Sequence, residues 1–375
     1  MKIRMNPRIA FLGSVLAWAT ISQATPSYEV IQIGNWPGAD QGAPMAINNS
    51  NLVAGNSWSS GNNVAWYYSE GTGMTSAYHN WSLSLTVRDL NDAGQSTGFH
   101  SGWNSAYRSQ PAFTAGYFTP VGYVRTEGWG INSLGELVGW STTANSLARA
   151  SRFNLDWTTT LLPTLNPNTD SQARRVNSAG TAVGMSDDKA VLWTSNNTLV
   201  NLHAMIPGAV RSFASDINEA GMVTGYFTNA EGVVQGFLFN FEVGMSTFAP
   251  VAGNSFLVPR AINLAGDTVG ITRLNENSGL HHGFVRFNGG PAVTLNSLID
   301  PASGWELDQA TDINDNGYIV GVGRFQGVPT NFMMKPVPEP ASVILLGAGL
   351  ASLIRFRRRR ADELGALFPA SGPSV

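Results

Sequence analysis

The 375-residue chain has no cysteine, five histidines and only 13% charged residues. Without cysteine, disulfides, thiol catalysis and Cys-ligated zinc are excluded. The histidines (His79, His100, His203, His281 and His282) are scattered, and they form no His-Glu-x-x-His metal pattern. There is also no Gly-x-Ser-x-Gly nucleophile elbow. Neighbouring pairs such as His281-His282 and Asp187-Asp188 point to opposite faces of a strand, so neither is a ready-made catalytic or metal pair. No stretch reaches the roughly 18 consecutive apolar residues of a full membrane-spanning helix. Basic residues are scarce in the body: residues 25–337 hold 14 Lys+Arg against 22 Asp+Glu, a balance of −8. An acidic body with no basic run excludes nucleic acid as the expected partner.

What the chain has in quantity is glycine, 41 residues, and a phrase repeated seven times. Each copy reads apolar residue, Asn, two variable residues, turn residue, three residues, Gly. The asparagines are Asn48, Asn91, Asn132, Asn177, Asn218, Asn263 and Asn314, spaced 43, 41, 45, 41, 45 and 51 residues apart. The closing glycines, seven residues after each Asn, are Gly55, Gly98, Gly139, Gly184, Gly225, Gly270 and Gly321. A period in this range marks an array of like units.

Each phrase is read as a hairpin. The Asn side chain bonds the backbone ahead of it, and the residue three on adopts the left-handed conformation of a type I turn with a bulge. The expected turn pairs are Asn91 with Gly94, Asn132 with Gly135, Asn177 with Gly180, Asn218 with Gly221, Asn263 with Gly266, and Asn314 with Gly317. The first copy has Asn51 in place of Gly, the best non-Gly substitute there. The closing Gly is expected to mark a close backbone approach between neighbouring sheets.

After each phrase comes a short apolar, mostly aromatic run. These are Val64–Tyr67, Pro111–Thr114, Ala150–Phe153, Ala190–Trp193, Gly236–Phe239, Gly283–Arg286 and Asn331–Met334. A further run such as Thr198–Leu202 or Ala292–Leu295 follows in most copies, so four strands per repeat is the simplest count. The expected fold class is all-β: a seven-bladed β-propeller of four-stranded blades. A solenoid would use shorter coils, and a sandwich would not repeat seven times. The seventh repeat ends at Lys335-Pro336 with no closing strand, whereas Tyr28–Ile33 is a strand without a repeat. That N-terminal strand is therefore expected to complete the last blade and close the ring.

The two ends read as addresses. Lys2, Arg4 and Arg8 precede the apolar run Ile9–Ala19, and Ser22-Gln23-Ala24 supplies a signal-peptidase site, so residues 1–24 are expected to be a cleaved signal peptide. Residues 25–336 form the repeat body. Pro338-Glu339-Pro340 opens a short apolar stretch, Ala341–Ile354, followed by Arg355, Arg357, Arg358, Arg359 and Arg360. A helix of 14 residues reaches only about 21 Å against a hydrocarbon core of roughly 30 Å, a marginal span. The arginines would keep its far end cytoplasmic. Residues 337–360 resemble the PEP-CTERM sorting signal of exported bacterial proteins. The resemblance implies a short transmembrane helix, transient inner-membrane anchoring and processing by an exosortase. The tail 361–375 departs from that pattern, which usually ends soon after the basic cluster. The repeated phrase with its aromatic strand also resembles the HAF repeats of bacterial extracellular proteins. That likeness implies a surface location and a propeller but no activity, and only His282-Gly283-Phe284 keeps a His before the aromatic strand.

Two sets of candidate binding residues remain. Asp312, Asn314 and Asn316, followed by Gly317, alternate oxygens as a calcium loop does. The acid expected further on is absent from Ile319–Gly323, and the turn reading accounts for all seven copies. No cofactor is therefore expected, with calcium at this loop as the alternative. Trp36, Trp58, Trp81, Trp103 and Trp305, with His79 nearby, fall in loops that a propeller would present on one face. Amphipathic rings there suit a carbohydrate, although aromatic residues of this kind also pack inward, as Trp66 and Trp193 are expected to do. The expected function is a non-catalytic binding or structural component of the cell envelope or exopolysaccharide matrix. Its partners would be polysaccharide or a surface protein, with signal peptidase and exosortase acting during export. The alternative is a secreted carbohydrate-active hydrolase or lyase using the same face.

Overall fold

The structure is a computed structural model describing residues 26–39, 41–59, 62–76, 85–109, 115–118, 122–142 and 147–337. The signal segment, Trp81, His79, Pro111–Thr114, the sorting motif from Pro338 through Arg360 and the tail 361–375 lie outside these residues. The described chain is all-β apart from two single-turn 3-10 segments, His203–Met205 and Leu295–Leu298. Among the described residues no helix is long and apolar enough to cross a membrane. The helix expected in Ala341–Ile354 falls outside them.

The strands repeat in fours. First strands are Gln41–Ile47, Leu85–Leu90, Arg125–Ile131, Ser171–Val176, Ala209–Ile217, Phe256–Ile262 and Trp305–Ile313, each running into a repeat asparagine. Second strands are Val53–Ser59, Ser96–His100, Leu137–Thr142, Ala182–Ser186, Val223–Asn229, Thr268–Arg273 and Ile319–Phe325. Third strands are Asn62–Ser69, Ser105–Ser109, Ala148–Phe153, Lys189–Trp193, Val234–Asn240, His281–Arg286 and Val328–Val337. In the second repeat the third strand is Ser105–Ser109, with Tyr107 as its buried aromatic; the expected Pro111–Thr114 lies outside the described residues. Fourth strands are Gly73–Ser76, Ala115–Phe118, Thr159–Leu161, Leu199–Asn201, Gly244–Phe248 and Ala292–Thr294. The seventh repeat takes its fourth strand from the start of the chain: Ser27–Gln32 pairs antiparallel with Val328–Val337. All pairings within a repeat are antiparallel. One parallel bridge, Val234 to Phe256, joins the fifth sheet to the sixth.

The asparagine does two jobs with one amide. Its Oδ1 accepts the N–H of the residue four on in every repeat, from Leu52 through Tyr318. Its Nδ2 donates to the main-chain oxygen of the next repeat's asparagine: Asn48 to Asn91, and so on to Asn263 to Asn314. Asn314 then donates to Asn48 at 2.9 Å, so the chain of bonds returns to its start. The third turn residues have positive φ, from +75° at Gly94 to +85° at Gly266, with Asn51 at +60° as the non-Gly case.

The closing glycines have a different role from the one expected. Their close approach lies within their own hairpin, not between sheets. A Cβ on Gly98, Gly139 or Gly321 would meet the oxygen of Thr86, Glu127 or Gln309 on the first strand at 1.9 Å. Directly opposite, every first strand carries a β-bulge, between Pro44/Ala46, Val87/Asp89, Gly128/Gly130, Ala173/Arg175, Ala214/Asp216, Pro259/Ala261 and Ala310/Asp312. On its other side the glycine faces the third strand. Gly55, Gly225, Gly270 and Gly321 pair with Trp66, Phe237, Phe284 and Phe332, whose rings fill the space a side chain would take. These rings, with Trp193, are fully buried between adjacent sheets. Each contributes roughly 2–3 kcal/mol by leaving water.

Candidate functional site

A β-bulge inserts one unpaired residue and turns it away from the ladder. Counting back three from each repeat asparagine, the bulged residues are Met45, Arg88, Trp129, Arg174, Ser215, Arg260 and Thr311. All seven line one cavity of about 360 Å³. The hairpin geometry set by the closing glycine therefore delivers one side chain from every repeat to a common space. Phe213, Tyr226 and Val258 line that cavity and also an adjoining one of about 230 Å³ that reaches Arg211.

The cavity is cationic although the body is acidic. Arg88 and Arg174 lie over the Trp129 ring, with guanidinium carbons 4.3 and 3.6 Å from its centroid, and Arg174 also lies 4.9 Å from Phe213. Arg88 is paired with Glu127 at 2.9 Å, and Glu127 also holds Arg125 at 3.0 Å. Neither Arg174 nor Arg260 has an ion pair among the described residues. The Nε of Arg174 and the indole N–H of Trp129 are buried without a hydrogen-bond partner. Burial, and then the adjacent Arg175, pushes the Arg174 guanidinium down to about 10. Burial, and then Arg273, lowers Arg260. Burial raises the Tyr226 phenol, against the pull of Arg174, Arg211 and Arg260.

One residue nearer the asparagines is a second layer, facing a channel of about 160 Å³. Asp89, Asp216 and Asp312 each accept the N–H of the following residue on Oδ1. On Oδ2 they accept the N–H of Ile131, Ile262 and Ile47 in the next repeat. Arg175 reaches between Asp89 and Asp216 at 3.8 and 3.7 Å. Burial alone would lower this guanidinium, but the three carboxyls outweigh it and raise it. Asp312 keeps some exposure to the narrow channel; even so, burial, relieved by Arg175 and reinforced by Asp216, holds its carboxyl up at about 8. Asp216 stands at about 6 for the same first reason.

The residues singled out from sequence are placed as follows. In the Asp312, Asn314 and Asn316 loop, both oxygens of Asp312 accept backbone amides, as does Oδ1 of Asn314, and Asn316 Nδ2 donates to Asn49 O at 2.8 Å. No cluster of three or more His, Asp or Glu suited to a metal occurs among the described residues. Trp36 packs against the cluster around Trp66, and Trp305 packs between Phe325 and Phe332. Trp58 is 39% and Trp103 60% exposed, the latter stacked on Tyr117. First strands run towards the asparagines and second strands away. These four tryptophans, at the starts of first strands or the ends of second strands, therefore lie at the end opposite the turns. The cationic cavity is on that side of the Asp–Arg layer. Sequence reading aligned the asparagines and glycines of the seven copies but not the column three places before them. That column reads Met, Arg, Trp, Arg, Ser, Arg, Thr, and it is the signal for the cavity.

Residues 336–360 match the PEP-CTERM protein-sorting motif, which implies export and exosortase-dependent sorting to the surface. No curated protein matches the chain. Among solved structures, the chain is similar to an oligogalacturonate lyase in complex with manganese, at 12% identity and a TM-score of 0.57, covering 84% of this chain and 95% of that one. It is similar to a streptogramin B lyase at 10% identity and a TM-score of 0.55, covering 83% and 98%. A virginiamycin B lyase from Staphylococcus aureus gives 11% identity and a TM-score of 0.52, covering 84% and 100%. At these identities the likeness is one of fold, and the described chain is β-propeller-like.

Proposed function

We propose that the body is a seven-bladed β-propeller, its last blade completed by Ser27–Gln32. In this reading the protein serves at the cell surface or in the exopolysaccharide matrix as a non-catalytic binding component for polysaccharide. The repeats would be of the extracellular HAF type. The seven four-stranded units, the pairing of Ser27–Gln32 with Val328–Val337 and the returning asparagine bonds support the architecture. The observation that carries the binding reading is the cavity to which all seven repeats contribute a side chain, on the same end as exposed Trp58 and Trp103. A concave site with aromatic walls and a few convergent polar groups suits a sugar.

A second reading, a carbohydrate-active hydrolase or lyase using the same face, is favoured by one arrangement: Tyr226 lies within the electrostatic reach of Arg174, Arg211 and Arg260. A phenol beside cations can transfer a proton. A glycan array followed by turnover assays on each bound glycan separates the readings. The binding role predicts capture without product. Product formation that is lost in Tyr226→Phe or in single acid-to-amide variants would establish the enzyme instead.

A further inference from the structure

The body carries a balance of −8, yet four of its arginines, Arg88, Arg174, Arg175 and Arg260, line one cavity. A guanidinium drawn partly out of water without a counter-charge is destabilising, so it persists where something else requires it. Arg88 is neutralised by Glu127, and Glu127 is further engaged by Arg125. Arg175 is neutralised by the Asp layer. Arg174 and Arg260 are left over. The Trp129 ring is engaged by two guanidinium groups, with Arg88 and Arg174 over it at 4.3 and 3.6 Å. Its ring therefore orients the guanidinium of Arg174, while its N–H stays without a partner. A planar fork held in place with its Nε unpartnered is an arrangement that can take a carboxylate by parallel hydrogen bonds.

We propose that this cavity is the subsite for an acidic sugar: Arg174 and Arg260 take the carboxylate of a uronic-acid residue, and the Trp129 N–H and Tyr226 hydroxyl meet its hydroxyl groups. The adjoining cavity, sharing Phe213, Tyr226 and Val258 and lined by Arg211 together with Asp188 and Glu276, gives the next sugar of the chain a place. This rests on the polysaccharide-binding reading and narrows it to anionic polymers.

The test is titration calorimetry of the exported protein with a glucuronic-acid oligosaccharide and with the same oligosaccharide after its carboxyls are reduced to alcohols. The acidic form is expected to bind at least about tenfold more tightly at low salt, with the advantage shrinking as salt is added. Arg260→Met, which removes no ion pair, should abolish that advantage. Arg174→Met should do the same, and Arg260→Lys should retain part of it. Equal binding of the two forms would overturn the acidic subsite while leaving polysaccharide binding in place. An unchanged preference in both Met variants would also overturn it. Binding of neither oligosaccharide would overturn the subsite and the polysaccharide reading together. If a Met variant fails to fold, the comparison of the two oligosaccharides on the unaltered protein still decides the question.

Discussion

The side-chain amide of Asn314 donates to the main-chain oxygen of Asn48, 266 residues earlier, at 2.9 Å. The same atom pair recurs between every two successive repeats. One residue type thus shapes each hairpin through its oxygen and joins neighbouring hairpins through its nitrogen.

The two roles separate by substitution. Asn177→Asp keeps the acceptor for the Thr181 N–H but loses the donor to Asn218 O and places a carboxylate against that carbonyl. Asn177→Ala loses both. Urea unfolding is expected to show a loss of about 1–3 kcal/mol for Ala. At neutral pH the Asp variant should recover little of it. Wild-type stability in Asn177→Asp would mean that the inter-repeat bond contributes nothing.

The two kinds of glycine should respond differently. Gly221 has φ +76° and open space around it, so Gly221→Ala costs only its backbone strain, about 1 kcal/mol. Gly139→Ala must displace the Glu127 carbonyl, which a Cβ would meet at 1.9 Å, and should cost roughly 3 kcal/mol or more. That displacement also shifts the Trp129 bulge, so ligand binding should fall with stability. Asn51→Gly removes the strain of φ +60° but also the acceptor for Asn314 Nδ2 at 2.8 Å, so the melting temperature should change little.

Asp312 makes stability depend on pH in a stated direction. Its folded carboxyl stands at about 8 against an ordinary value of 3.8. The native state therefore holds a proton that the unfolded chain releases. The stabilisation is fully present below about pH 4 and is lost as pH rises towards 8. The urea midpoint should fall across this window, and Asp312→Asn, neutral at all pH, should flatten the slope. A slope that Asp312→Asn leaves unaltered would show that the proton sits elsewhere.

Removing Ser27–Gln32 strips the fourth strand from Val328–Val337 and uncovers the core that Tyr28 and Val30 pack against. The expected result is a collapse of the thermal transition, read by circular dichroism. A shortened protein that melts at the wild-type temperature would refute closure by this strand.

Periodicity made the array legible. The seven asparagines, the turn glycines and the unpaired strand at Tyr28–Ile33 could be aligned because each repeat meets the same local steric demands. The third strand of the second repeat escaped because Ser105–Ser109 contains one aromatic, Tyr107, and one alanine among polar residues, while Pro111–Thr114 carries the expected apolar pattern in sequence. The tryptophans stood out in the sequence through their bulk, yet Trp36 and Trp305 proved to be packing residues.

What the amino-acid order determined by itself is the hairpin. Asn at one position and a residue tolerant of positive φ three places on are local requirements, satisfied within ten residues wherever the rest of the chain lies. What only the tertiary structure decided is where the bulged residues meet. Arg88, Trp129, Arg174 and Arg260 are far apart in sequence and belong to four repeats, and each is unremarkable in its own strand. They form a charged cavity because the sheets pack side by side, so that the seven bulged residues line one space. The partial burial of these side chains, and the lack of an ion pair at Arg174 and Arg260 among the described residues, are properties of that assembly, which no single repeat contains.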